Sequence, residues 1–72
     1  MKPIKKRIVI HAPEGEPMSL WAMVDHADPA KPGVKLIHKY DFTPTADWVV
    51  EIDDKTYTVE SVEATGRMIC HG

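Results

Sequence analysis

Seventy-two residues with 43% apolar and 28% charged side chains and a net charge of −2 describe one ordinary globular domain, residues 1–72. At this size a single core consumes most of the apolar material, so a deep water-excluding catalytic pocket is not expected, and neither is a bound cofactor. No apolar run approaches the roughly 20 residues of a membrane-spanning helix, and the basic start has only a short apolar stretch, below the roughly 7 to 15 residues of a secretory signal. One cysteine, Cys70, can form no internal disulfide, which points to the reducing cytoplasm.

The net charge hides a split. Residues 1–40 hold seven Lys/Arg against four Asp/Glu, or +3, whereas residues 41–72 hold two against seven, or −5. Either the two halves pair and neutralise one another within the fold, or the molecule is dipolar with one acidic face.

In chain order, Lys5 to Ala12 (KKRIVIHA) is β-branched at its centre and ends at a Pro-Glu-Gly-Glu-Pro loop, so it reads as the first strand. Met18 to His26 alternates through Leu20, Ala22 and Val24 as a strand does; Ser19 would also cap a short helix over 19–26, and strand is the favoured reading. Pro32-Gly33 fits the centre of a type II turn. Val34, Leu36, His38, Tyr40 and Phe42 share one parity over 34–42, predicting a long strand with that set facing the core and His38 a hydrogen-bonded core histidine.

After Thr43-Pro44-Thr45, residues 46–65 read as a hairpin. Trp48, Val50 and Ile52 lie on one face, Glu51 and Asp53 on the other, an Asp53-Asp54-Lys55 turn follows, and Tyr57 and Val59 return. Beyond Val59 the apolar parity changes to Val62 and Ala64, which predicts a bulge near Glu60 or Ser61. A short closing strand fits Arg67 to Cys70. The predicted fold is mostly β, a small antiparallel barrel or strongly bent sheet of five to six short strands.

No phosphate-cradling glycine loop or catalytic motif is present. His11, His26, His38, Cys70 and His71 are zinc-ligating types at poor spacing, Cys70-His71 being adjacent and terminal, so no metal site is expected. The acids around Asp25-His26-Ala27-Asp28 read as solvated turn residues rather than a general acid and base.

Two binding readings remain. In the first, Trp21 and Met23 are surplus to the core and form an apolar anchor for a protein partner, with Asp47, Glu51, Asp53 and Asp54 as an acidic rim that selects a basic surface. Val49 and Ile37 add to the outward apolar set, and edge-strand pairing would give a homodimer. In the second, Lys5, Lys6, Arg7, Lys35 and Lys39 form a basic stripe for nucleic acid, against which stands the pI near 6.0. The expected role is a non-catalytic regulatory or accessory protein.

Overall fold

Alternation of apolar and polar residues, punctuated by Pro, Gly and Asp turns, folds the chain into strands alone; a computed structural model describes residues 2–72 and no helix occurs among them. The strands are β1 (Ile4–His11), β2 (Met18–Asp25), β3 (Gly33–Leu36), β4 (Val49–Ile52), β5 (Lys55–Val62) and β6 (Met68–His71). They close as β1-β2-β3-β6-β5-β4, every neighbouring pair antiparallel and β4 returning to β1. The small antiparallel barrel expected from the sequence is therefore the fold, with β2 a strand rather than a helix. Among the described residues no helix is long and apolar enough to cross a membrane.

Closure pairs every strand on both sides over part of its length, so no strand of this domain is free along a whole edge of the kind through which a bent sheet would dimerise. Two three-stranded meanders, β1-β2-β3 and β4-β5-β6, form its halves, and these coincide with the cationic and anionic halves of the sequence. Among the described residues, four of five ion pairs join the halves: Lys6–Asp53, His11–Glu51, Lys31–Glu60 and Arg67–Asp25. Lys6–Asp53, His11–Glu51 and Lys31–Glu60 run with the charge split and Arg67–Asp25 against it, so the split joins the meanders in part and leaves other cations unpaired.

The inward residues are Ile8 and Ile10 of β1, Ala22 and Val24 of β2, Val34, Val50 and Ile52, Tyr57 and Val59, and Met68 with Cys70. This core is almost wholly aliphatic. In β5 the inward parity breaks where expected: Val59 pairs with Cys70 but Ser61 with Ile69, leaving Glu60 in a bulge that sharpens the strand's twist. Cys70 is fully buried in β6 rather than lying at a loose end. Burial pushes its thiol up to about 11, because a thiolate has no solvation there. At pH about 8, a thiol reagent is expected to label Cys70 only as fast as the barrel opens; rapid labelling of the native protein would show that β6 is not closed against β3 and β5.

The connections divide between the two ends of the barrel. Residues 26–32 and the Asp53-Asp54 turn lie at one end; residues 12–17, 37–48 and 63–67 lie at the other. In the first group the turn is Asp28-Pro29-Ala30-Lys31, closed by a hydrogen bond from Lys31 N to Asp28 O at 3.0 Å. The Asp28 side chain accepts from Ala30 N, and Gly33 is already in β3 without a positive φ. The type II turn expected at Pro32-Gly33 is replaced because Pro29 presets φ equally well and Asp28 adds its own cap. Asp53 and Asp54 sit at φ 50° and 68° between paired Ile52 and Lys55, a type I′ turn. Asp54→Gly is expected to stabilise the barrel by about 0.5–1 kcal/mol by relieving left-handed strain, read as a rise of roughly 3–6 °C in Tm.

Asp53 itself accepts a hydrogen bond from the Lys6 ammonium, which holds its carboxyl below the usual value of 3.8, with smaller attraction from Lys6 and His26 charge and an opposing loss of solvation. The folded value lies below the unfolded one, so this stabilisation is complete above about pH 4 and is lost as pH falls through the folded value. Asp53→Asn should flatten the acid limb of the Tm profile relative to wild type, and added salt should shrink the difference, since the pair is exposed.

At the other end, residues 37–48 connect strands on opposite sides of the ring and so must pass across the barrel mouth. This corrects the long strand expected over 34–42. β3 stops at Leu36, and His38 is exposed instead of serving in the core. The alternating rings stack on one another: Tyr40 on Phe42 at 5.2 Å and Phe42 on Trp48 at 5.8 Å between centroids. Trp48 is half-buried against the core together with Met18, Leu20, Leu36 and Val62, which the strand registers place around this same mouth.

Candidate binding face

Outward positions of β1, β2 and β3 lie side by side because their registers are continuous. Lys5 pairs with Met23 and Met23 with Lys35, which makes one row across three strands; in the next row Arg7 faces Trp21. Trp21 is 41% exposed and Met23 half-buried. Ile37, directly after β3, is also exposed, as is Ile4 at the start of β1. Trp21 and Met23 face outward because Ala22 and Val24 take the inward positions of the same strand.

Two cations of β1 lie over the Trp21 ring. The Lys5 ammonium lies 5.2 Å and the Arg7 guanidinium 5.4 Å from its ring centre, within the range of cation–π attraction. Arg7 is fixed further by donating from Nε to Ser19 Oγ at 2.8 Å. Among the described residues Lys5, Arg7, Lys35 and Lys39 pair with no carboxylate.

The four acids expected as a rim are not gathered around Trp21. Glu51 is opposite Val9 on the far side of β1 and lies 3.1 Å from His11 Nε2. Asp53 is taken by Lys6. Asp54 lies beside it in the turn, and Arg7, Val9, Glu51, Asp53 and Asp54 line one shallow hollow. Asp47 is at the opposite end, at φ 75° in the turn that admits the chain to β4, with its N–H donating to Val59 O at 2.9 Å. The frame of Trp21 and Met23 is therefore cationic. Of the basic stripe, Lys5, Arg7 and Lys35 share this face, Lys39 follows at the mouth, and Lys6 turns to Asp53.

The outer face of β1-β2-β3 thus combines an exposed tryptophan, an adjacent half-buried methionine and three ammonium or guanidinium groups. Among the described residues no group of three or more His, Cys, Asp or Glu side chains is placed to hold a metal ion. In comparisons with known proteins, no family model, curated protein or solved structure matches the chain.

Proposed function

We propose that the protein is a non-catalytic binding module that docks an acidic surface of a protein partner on the outer face of β1-β2-β3, with Trp21 and Met23 as apolar anchors and Lys5, Arg7 and Lys35 as the selecting charges. One observation carries this reading: an exposed tryptophan with two cations over its ring, at the centre of unpaired positive charge. Tryptophan, arginine and methionine are enriched at interface cores, and complementary charge chooses the partner. The acidic selection first expected for Trp21 becomes selection by bases, because β1 stands between the anchor and the acids.

A symmetric homodimer through this face would set Lys5, Arg7 and Lys35 against their own copies, and like charges in a desolvated patch repel. The partner is thus a different chain, met in the cytoplasm, where the protein acts as an adaptor, inhibitor or other accessory factor. Whole-molecule charge favours protein over nucleic acid, since a net charge of −2 does not draw a polyanion to the rest of the surface.

Capture from the source lysate by tagged wild type and by Trp21→Ser, each with and without nuclease, tests this. The expected result is a defined acidic protein held by wild type through nuclease treatment, released by raised salt and absent from the variant. Retention that disappears with nuclease would transfer the face to nucleic acid, and identical retention by both proteins would remove Trp21 from the site.

A further inference from the structure

Four of the chain's five aromatic side chains, all but Tyr57, lie outside the buried core of a domain short of core material. Trp21 belongs to the face described above. Trp48 and Phe42 close the barrel mouth. Tyr40 and His38 continue that file outward, with Tyr40 stacked at 21° on Phe42 and His38 edge-on to Tyr40 at 84° and 6.4 Å. Neither is needed to cover the core, since Tyr40 is half-buried and His38 exposed.

Beside this file is an open cleft of about 270 Å³, lined among others by Lys35, His38, Lys39, Tyr40 and Phe42. Its far wall includes Gly66, in the turn between β5 and β6. A Cβ there would meet nothing within 4 Å, so the backbone at Gly66 borders open space. The lining holds two lysines and no carboxylate. Its volume is near the lower edge of ligand clefts, about 300 Å³, which suits one ring and its substituent.

We propose that the mouth cleft binds a planar aromatic ring carrying a phosphate, the chemistry of a nucleotide. The ring lies on the wall made by Tyr40 and His38, and the phosphate is neutralised by Lys39 and Lys35. The aromatic wall is pre-ordered because its inner end is locked by Phe42 and Trp48 into the barrel, so little entropy is lost when another ring is added. Two mobile ammonium groups with no guanidinium fork match a phosphate's spread charge better than a carboxylate's bidentate geometry. Such a ligand has two sources, a free nucleotide or one unit of a single strand passing the mouth. Trp21 does not line this cleft; Lys35 is shared with the protein-binding face, and the inference rests otherwise on Tyr40, His38 and Lys39.

The test is titration of the ¹⁵N-labelled full chain with AMP, UMP, adenosine, inorganic phosphate and a short oligothymidylate, read by amide shifts. AMP is expected to shift residues 38–42 and 65–66 at millimolar concentration, with adenosine and phosphate alone each about tenfold weaker. Tyr40→Leu should weaken AMP about tenfold, the scale of one base–aromatic stack. Lys39→Gln, at an exposed position that leaves folding intact, should weaken it severalfold and reduce its salt dependence, while Trp21→Ser should leave it unchanged. Tighter binding of the oligonucleotide through the same residues would identify a single strand as the source; equal or weaker binding would identify the free nucleotide. The proposal is overturned if no nucleotide or oligonucleotide shifts the mouth residues, if phosphate alone reproduces the AMP response, or if Lys39→Gln and a folded Tyr40→Leu both bind AMP as wild type does.

Discussion

Ile10→Ala is expected to lower stability by about 3 kcal/mol or more, within the range for large-to-small core changes, and to bring the barrel close to unfolding at ambient temperature. Ile10 is fully buried and lies in β1 at one of the two seams between the meanders, opposite Met18 of β2 and Val50 of β4. Its loss opens a cavity where the two halves meet. A 72-residue domain commands only about 4–11 kcal/mol in total, so this one side chain accounts for a large share. A fall of about 15 °C or more in Tm is the expected readout, with Ile10→Val, at about 1 kcal/mol, as the graded control. A shift below about 4 °C for Ile10→Ala would mean that the β1–β4 seam closes without this contact.

The fold was legible where a local pattern and its tertiary environment coincide. The parity of Ile8 and Ile10, of Ala22 and Val24, and of Val50 and Ile52 is the parity of the barrel interior, and the change after Val59 marks the bulge at Glu60. Legibility failed at residues 37–42 for a specific reason. His38, Tyr40 and Phe42 alternate as strand residues do, but β3 borders β6, which is only four residues long and pairs with Gly33 and Val34 alone. Beyond Leu36 the chain leaves β2 as well, whose residues 18–21 have no partner on that side, and the period of two orders a file of stacked rings across the mouth. Turn chemistry was similarly ambiguous: two prolines four residues or fewer apart could each nucleate a turn, and only the Asp28 cap on Ala30 decides for Pro29.

The candidate face shows a different limit. That Trp21 and Met23 point outward follows from the alternation of β2, but which charges surround them depends on strand order, which residue types do not encode. β1 neighbours both β2 and β4, so its outward Lys5 and Arg7 take the position beside Trp21 and hold Glu51 and Asp53 away from it. The charge split of the sequence divides in the structure: Lys6, His11 and Lys31 meet carboxylates of the other half, whereas Lys5, Arg7 and Lys35 pair with none among the described residues.

Trp21→Ser is expected to cost roughly 30-fold in partner affinity, the effect of losing one central anchor worth about 2 kcal/mol. The barrel should remain folded. The ring contributes to stability through its contacts with Lys5 and Arg7, each about 0.5–1 kcal/mol at an exposed site, through the part of its surface packed on its neighbours, and through the strand preference of tryptophan, up to about 1 kcal/mol. A loss of this size lowers Tm without abolishing the far-UV signature of the sheet. Trp21→Thr separates the two effects, because a β-branched residue restores strand preference but supplies no ring. It should recover part of the stability and none of the affinity. Lys5→Glu with Lys35→Glu, at exposed positions outside the core, should act instead on the association rate and on its salt dependence. Collapse of the sheet in both Trp21 variants would place the ring among the structural residues and leave the cations without an anchor to frame.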